Sequence, residues 1–240
     1  MTVISKAITG VISKAVKGAI GPDGAALKFL VFDTFTDTNG VLIENHTPEI
    51  GGPWIRTVPD TGAPTLGAVT IQNNLMAISV ADEGAVVDAG VSDADIQVVY
   101  TATTGARSGV LMRSVSDGNT LSFRVRPADN AIDLITWTAG TIASTDATAA
   151  FTFVNGQDYT LRVRCVANTI VAYIDGNQVL QATVTAHAAG TRHGITSYGS
   201  TLTERYNNFN IVNGAINPQL VTYWLETVTY NGVPVTYIGN

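Results

Sequence analysis

Hydrophobic and polar residues alternate along most of the chain between residues 30 and 212. In the stretches LSFRVRP and LRVRC, the leucine, phenylalanine and valine residues fall on one face and the arginines on the other. A period of two is that of a β-strand with one buried face. Turn signals such as Asp117-Gly118-Asn119 and Asp175-Gly176-Asn177 separate these runs at intervals of roughly ten residues. The pattern predicts an all-β protein built as an antiparallel β-sandwich.

No stretch with a helical period of useful length interrupts this region, which we therefore interpret as one β-sandwich domain over residues 30–212. The predicted strands are residues 68–72, 75–80, 95–103, 108–115, 121–127, 131–139, 151–154, 159–167, 169–176, 178–185, 193–199 and 206–212.

A different period marks residues 1–29. Apolar residues recur there every four positions, and lysines or small polar residues fill the intervals. On a helix of about 3.6 residues per turn, a step of four drifts by about 40°, so the apolar stripe spirals around the axis. Ile, Val, Gly and Thr are also mediocre helix formers. We predict an anchoring segment that becomes ordered on contact with a partner, as a helix or as an extended strand, although a helix packed on its own domain is an alternative.

The expected docking residues of this segment are the apolar positions of the repeat and the lysines between them: Ile4, Lys6, Ile8, Ile12, Lys14, Val16, Lys17 and Ile20.

Residues 213–240 carry a hairpin signal. Two alternating runs flank Asn231-Gly232, a dipeptide that favours the two-residue turn of a β-hairpin. An isolated hairpin is barely stable, so its aromatic residues must pack against the rest of the chain or against a neighbouring subunit. We predict a homo-oligomer, with a trimer as the expected state. Its expected contact residues are Tyr223, Trp224, Tyr230 and Tyr237.

The charge distribution separates the first segment from the rest. All four lysines lie within the first 28 residues, whereas nine arginines and 18 acidic residues follow, a net charge of −9. A basic segment on an acidic body indicates that the two parts meet different surfaces. No cluster of basic residues interleaved with aromatics occurs in the body, which argues against nucleic acid as a partner.

The single cysteine, Cys165, excludes an intrachain disulfide and a cysteine metal cluster. It lies in the alternating run LRVRCVA, which predicts a buried structural thiol. No run of 18 apolar residues occurs, so no membrane span is expected. Lysines interrupt the N-terminal apolar residues, unlike a secretory signal. We therefore expect a soluble protein made in the cytoplasm.

Three stretches of the body resemble the concanavalin A-like lectin/glucanase superfamily, a jelly-roll fold, in its laminin G-like form. FDTFTDTNGVLIENHTPEIGGPW is similar to the opening strand and first loop of such domains. YTLRVRCVANTIVAYIDGNQVLQATV is similar to their paired strands around a YIDG hairpin, and GTRHGITSYGSTLTERYNNFNIV to their closing strands. The ENHTPEIGG sequence and the fourfold repeat also resemble structural proteins of tailed phages.

The laminin G-like resemblance implies two kinds of site. Relatives often hold calcium at the rim of the sandwich, and Asp33 and Asn208 match the opening and closing positions of that site, although local hydrogen bonding of both residues is an alternative. A glycan would bind exposed aromatic residues, for which Trp54 and Tyr198 are candidates. We interpret Trp137, in LITWTA, as a core residue rather than a sugar platform.

A hydrolase of this fold needs two carboxylates flanking the scissile bond. Laminarinase-like members place them in a Glu-x-Asp-x-x-Glu strand, and none of the five glutamates fits that spacing. Asp93 and Asp95 are the remaining pair, but they open a strand, where turn-capping acids are common. His46 and His193 are interpreted as structural residues, since no nucleophile elbow or zinc-binding His pair is present.

These observations favour a non-enzymatic structural protein of a phage particle, either a capsid decoration protein or a tail or fibre component. The expected location is the virion, and the expected partners are other virion proteins. A glycan-binding adhesion protein that recognises a host-surface polysaccharide is the alternative, and a glycoside hydrolase is a third one.

Overall fold

The structure is a computed structural model that describes residues 19–20, 26–59, 69–103, 107–198, 204–215, 224–230 and 233–239. Side chains are described within residues 28–59, 69–103, 107–198 and 205–215. The chain divides into two compact units, Leu30–Ala215 and a unit of Met1–Phe29 with Ile216–Asn240. In the described ranges, no helix is long and apolar enough to cross a membrane.

Strands make up nearly all regular structure in the described residues, together with two 3-10 turns at Ile43–Asn45 and Pro127–Asp129. The strands are β1 (Ala19–Ile20), β2 (Ala26–Leu27), β3 (Phe29–Asp33), β4 (Trp54–Thr57), β5 (Val69–Ile71), β6 (Met76–Ile78), β7 (Gly84–Asp88), β8 (Ala94–Thr101), β9 (Ser108–Ser116), β10 (Asn119–Arg126), β11 (Ala131–Thr138), β12 (Thr141–Ala150), β13 (Asp158–Val166), β14 (Thr169–Ile174), β15 (Asn177–Thr183), β16 (Arg192–Ser197), β17 (Glu204–Asn213), β18 (Trp224–Tyr230) and β19 (Val233–Gly239).

Two antiparallel sheets form the larger unit. The seven-stranded sheet has the order β12-β11-β10-β9-β16-β7-β4, and the eight-stranded sheet has the order β15-β14-β13-β8-β17-β6-β5, with β3 paired to β17. Apolar side chains from both sheets form one buried cluster between them, including Phe123 of β10, Val98 of β8 and Val163 of β13. The predicted all-β antiparallel sandwich is therefore confirmed.

Strand β10 shows how the alternation divides the two faces of its sheet. Leu121, Phe123 and Val125 belong to the buried cluster between the sheets. Their neighbours Ser122 and Arg124 therefore point to the outer face, because successive side chains of a strand alternate. The outer face is also substantially buried, since Ser122 has no exposed surface.

The strand predictions for the sandwich differ from the structure at four places. Residues 151–154 do not form a strand, whereas β4, β7 and β12 were not among the predicted strands. Strands β7 and β12 lack alternation: the first four residues of β7 are all buried, and β12 is a largely exposed run rich in Ala and Thr at the edge of its sheet. A strand that is buried on both faces, or on neither, gives no period-two signal.

The smaller unit contains two short pairings. Ile20 of β1 lies opposite Ala26 of β2, and Trp224 to Tyr230 of β18 lies opposite Val233 to Gly239 of β19. The second pairing confirms the C-terminal hairpin around Asn231-Gly232. Side chains of this unit, the docking residues from Ile4 to Lys17, and Tyr223 lie outside the described part of the chain, so the anchoring, docking and oligomer-contact predictions stay predictions.

Gly194 offers a test of the sheet packing. A Cβ atom at this position would overlap the backbone carbonyl oxygen of Ala85 in the adjacent strand β7. We expect Gly194→Ala to lower the free energy of unfolding by roughly 1–3 kcal/mol, because the buried backbone must shift to make room. Chemical denaturation measures this change. Val115→Ala, at an exposed position, is the control and should lie within about 0.5 kcal/mol of the wild type; equal stability of the two variants would contradict the packing of β7 against β16.

Candidate functional site

The opening loop of the sandwich is fastened by a buried carboxylate. Asp33, at the end of β3, accepts hydrogen bonds from the backbone N–H of Phe35 (2.6 Å, to Oδ1) and from Trp54 Nε1 (2.6 Å, to Oδ2). His46 lies between two carboxylates, with Nε2 2.9 Å from Asp33 Oδ1 and Nδ1 3.0 Å from Asp37 Oδ2. A neutral imidazole has one N–H, so only a protonated ring donates to both carboxylates.

The pKa shifts in this loop agree with a shared proton. Burial raises the pKa of Asp33 and outweighs its hydrogen bonds from His46, Trp54 and Phe35. Burial acts to lower the pKa of His46, but its contacts with Asp37 and Asp33 raise that pKa overall. The hydrogen bond from His46 lowers the pKa of Asp37. The raised pKa values of Asp33 and His46 both favour a proton held between these two side chains.

These contacts bear on two predicted sites. Trp54 is 2% exposed and packs against Phe35 and Phe209 in the core, so its ring is not an exposed platform. Asp33 is fully buried and both of its oxygens accept hydrogen bonds, which favours the local hydrogen-bonding alternative for this residue, and the calcium site stays a prediction. Asn208, at φ 50°, lies where the β17–β8 register shifts and forms a bulge.

The candidate acids Asp93 and Asp95 are each held by an arginine. Asp93 Oδ1 accepts hydrogen bonds from Arg113 Nη2 (3.0 Å) and from the backbone N–H of Ala167 (3.0 Å). Asp95 accepts two hydrogen bonds from Arg162, at 2.7 and 2.5 Å. Both carboxylates are therefore held in structural ion pairs at the start of β8.

The strongest candidate site lies on the outer face of the seven-stranded sheet, which the β10–β11 register brings together. Arg124 lies opposite Asp133, Ser122 opposite Ile135, and Thr120 opposite Trp137. All three positions of β11 therefore share the outer face with Ser122 and Arg124. Trp137 is buried, as the sequence predicts for a core residue, but it packs with Ile135 and Tyr198 in a small cluster separate from the main core.

Tyr198 follows β16 and completes this face. Its ring is stacked on that of Trp137, with an interplanar angle of 2° and 5.6 Å between the centroids. Gly109 of β9 makes room for it, since a Cβ atom there would lie 3.2 Å from Tyr198 Cε2. Tyr198 is only 3% exposed, so its ring is not the open platform expected of a glycan contact. We call Ser122, Arg124, Asp133, Trp137 and Tyr198 the outer-face cluster.

Three polar atoms of the outer-face cluster are buried without a hydrogen-bond partner: Ser122 Oγ, Trp137 Nε1 and Tyr198 Oη. Ser122 and Trp137 lie near enough to Tyr198 to lower the pKa of its hydroxyl, but burial dominates and raises it, so the hydroxyl keeps its proton. The three atoms nevertheless make no hydrogen bond of good geometry with one another. A buried unpaired polar group costs about 1–3 kcal/mol and calls for a water molecule or a ligand.

An arginine network continues from the cluster toward solvent. Arg124 donates to Asp133 Oδ2 through Nε (3.1 Å) and Nη2 (2.7 Å). Burial acts to raise the pKa of Asp133, but hydrogen bonds from Arg124 and Thr148 and the arginine charges lower it overall. Arg126 and Arg107 both contact Asp129 farther out, and the side-chain exposure rises from 14% for Arg124 to 46% for Arg107.

Comparisons with known proteins place the fold. No family model and no curated protein matches the sequence. The endo-β-1,3-glucanase from Pyrococcus furiosus is similar in structure, with a TM-score of 0.54 and 11% identity over 82% of this chain and 98% of that chain. LamAcat from Zobellia galactanivorans gives a TM-score of 0.52 and 9% identity over 77% and 97% of the two chains.

A LamA variant from Z. galactanivorans, in complex with laminaritriose and laminaritetraose, gives a TM-score of 0.51 with 9% identity over 77% of this chain and 98% of that chain. These likenesses confirm the jelly-roll β-sandwich. The predicted link to phage particles stays a prediction, because none of these three names refers to a virion.

Part of the outer-face cluster could be predicted from the sequence. Alternation alone predicts that the side chains of Arg124 and Arg126 point away from the core, and Tyr198 was a candidate glycan contact. The contact between Tyr198 and Trp137 joins residues 61 positions apart and depends on the strand order, so no local pattern reports it. Asp33, His46 and Trp54 likewise meet through the folding of one loop, which the motif spacing does not reveal.

The His46 contacts predict how stability changes with pH. The folded-state pKa of His46 is raised, so its stabilisation is complete below the unfolded value of about 6.5 and is lost as the pH rises through the folded value. Asp33, also raised, acts in the same direction. We expect the urea midpoint of the wild type to fall between pH 6 and 9 and that of His46→Gln to fall less.

Over most of the range from pH 6 to 9, the other buried histidine, His193, does not contribute to the pH dependence of stability. Burial lowers the pKa of His193 to about 4, so its effect on stability is confined to pH values below about 7, where only the unfolded state is protonated. His187→Gln, at a less buried position, is the control variant. Identical pH slopes for the wild type and His46→Gln from pH 7 to 9 would show that the loop does not share a proton.

Proposed function

We propose that the sandwich is a carbohydrate-binding module that does not hydrolyse its ligand, and that the N-terminal segment attaches it to a bacteriophage particle. The observation that carries the binding role is the outer-face cluster. It combines a stacked aromatic pair, three buried polar atoms without a partner and an Arg124–Asp133 ion pair on one sheet face.

The chemistry of this face suits a sugar. A pyranose ring offers apolar C–H groups, which pack on aromatic rings, and hydroxyls, which need a few well-placed polar partners. Trp137 supplies an indole N–H, while Ser122 and Tyr198 supply hydroxyls that donate and accept. A sugar that reached these atoms would replace the hydrogen bonds that the folded chain leaves unmade.

Likeness of fold adds support at the level of analogy. The P. furiosus neighbour is an endo-β-1,3-glucanase, and the LamA variant is in complex with laminari-oligosaccharides. Proteins of this fold have many different functions, so binding is inferred from the residues of the outer-face cluster.

Binding without hydrolysis is favoured by the state of the carboxylates. Asp133, the carboxylate of the cluster, is bound by Arg124, Arg126 and Thr148, and the net effect lowers its pKa. Asp93 and Asp95 are likewise held by arginines. A glycosidase needs one carboxyl group that carries a proton near neutral pH, and an arginine partner opposes this.

Attachment to a virion is supported by the sequence of residues 1–29. The fourfold apolar repeat and the confinement of all four lysines to the first 28 residues separate this segment from the acidic sandwich. Apolar positions would bury against capsid or tail proteins or against sister chains, and the lysines would meet acidic surfaces. The virion is the location that this proposal gives the protein.

Substitution of Trp137 tests the binding face. We expect Trp137→Ala to weaken binding to a polysaccharide found on a glycan array by at least about tenfold, since the ring and its N–H are both lost. Isothermal titration calorimetry measures the affinity, and thermal melting checks that the variant is folded. Tyr198→Phe, which removes only a hydroxyl, should have a smaller effect in the same direction.

Tyr173→Ala is the matched control, because Tyr173 is a partly buried aromatic residue of β14 in the other sheet. It should bind as the wild type does. A loss of binding in Tyr173→Ala with normal binding in Trp137→Ala would move the site to the eight-stranded sheet. Release of new reducing ends from the bound polysaccharide, abolished by Asp93→Asn or Asp95→Asn, would instead establish a hydrolase.

Deletion of residues 1–24 tests the attachment. We expect the truncated chain to keep the melting temperature of its sandwich but to be missing from particles assembled in infected cells. Quantitative mass spectrometry of purified particles measures the occupancy. A variant with Lys6, Lys14 and Lys17 changed to Gln should be incorporated at an intermediate level, and full occupancy by the truncated chain would contradict the anchoring role.

A further inference from the structure

The outer-face cluster presents more donors than acceptors. The indole of Trp137 and the guanidinium of Arg124 only donate hydrogen bonds, and the hydroxyls of Ser122 and Tyr198 can also donate. The single carboxylate of the cluster, Asp133, is already occupied by Arg124, Arg126 and Thr148. A ligand that satisfies this face must therefore bring acceptors.

The charge of the surrounding network points the same way. Arg107, Arg124 and Arg126 lie close together on a part of the chain with a net charge of −9, and their described ion-pair partners are Asp129 and Asp133. The other arginines with described ion pairs stand singly, such as Arg162 with Asp95 and Arg56 with Glu44. Guanidinium groups are thus concentrated along the route from solvent to the cluster, although Asp82 also acts on Tyr198.

The exposure of the arginine and aromatic side chains indicates the order in which a ligand would contact them. Arg107 is the most exposed of the three arginines and Arg124 the least, while Trp137 and Tyr198 lie deeper still. An anionic group arriving along this gradient meets guanidinium groups before it reaches the indole N–H. Guanidinium groups bind carboxylates with paired hydrogen bonds, which favours this class of anion.

From these observations we infer that the ligand of the outer-face cluster is an acidic polysaccharide whose uronic-acid carboxylate binds at Arg124 and the Trp137 indole, with Arg107 and Arg126 at its rim. The inference rests on the proposed carbohydrate-binding function and adds the class of ligand. It gives a role to the unpartnered donor on Trp137 and to the three neighbouring arginines.

The test compares acidic polysaccharides with their own neutral forms. Polygalacturonate and alginate, and the same polymers with their carboxyl groups reduced to alcohols, would be titrated into the full chain by calorimetry at 50 and 200 mM NaCl. We expect at least one acidic polymer to bind at least tenfold more tightly than its reduced form, with affinity falling as salt rises.

Two variants locate the effect. Arg107→Gln, at the exposed rim, should lower the affinity for the acidic polymer and leave the reduced form unchanged. Trp137→Phe keeps an aromatic ring and removes the N–H. This variant should show a smaller difference in affinity between the acidic polymer and its reduced form. Arg205→Gln is the matched control, because it removes the same charge from an exposed arginine in the other sheet.

Each outcome is decisive. Equal binding of acidic and reduced polymers, or binding of neutral glycans alone, would overturn the acidic-ligand inference and leave the carbohydrate-binding function standing. Polyglutamate bound as tightly as the polysaccharides would show attraction to charge without sugar recognition. No binding to these polymers or to any glycan on an array would overturn the proposed function itself.

Discussion

The alternation of strand β10 is the constraint on which the candidate site depends. Leu121, Phe123 and Val125 are buried in the core between the sheets. Because successive side chains alternate, Ser122 and Arg124 must lie on the outer face. A register slip of one residue would bury two arginines in the core, at a cost far larger than the stability of a domain. The position of the arginine network is thus fixed by the packing of apolar residues that touch no ligand.

Two buried carboxylates, Asp33 and Asp133, are stabilised in the same manner. Asp33 is surrounded by the donors Phe35, His46 and Trp54, and Asp133 by Arg124, Arg126 and Thr148. Breaking one partner would leave an uncompensated charge, which is strongly destabilising. The two sites differ in what remains unmade: Asp33 has its donors satisfied, whereas the face beside Asp133 retains polar atoms without partners. This difference makes the first site structural and the second a candidate for a ligand.

The sequence predicted the fold well, and the site only in part. Period-two alternation identified the central strands, since each has one buried face, but it failed for β7, which is buried on both faces, and for the exposed β12. Trp137 illustrates the limit for the site. Its alternation with Leu134 was correctly recognised, yet which of the two faces is the core depends on the pairing with β10, a tertiary fact. The burial of Trp54 and Tyr198 could not be read from local alternation, because burial, unlike strand propensity, is decided by distant parts of the chain.

The chain combines a jelly-roll fold with carboxylates that are bound by arginines. Hydrolysis requires a carboxyl group that exchanges its proton during the reaction, and the network around Asp133 stabilises one ionisation state. The same network is well suited to recognition, because paired guanidinium and carboxylate groups are held rigidly and present fixed donors to a ligand. A carboxylate that is held in one ionisation state can take part in binding, whereas general acid catalysis needs a carboxyl group that can change its protonation state. The outer face of the seven-stranded sheet has the first property, which supports the binding role proposed for it.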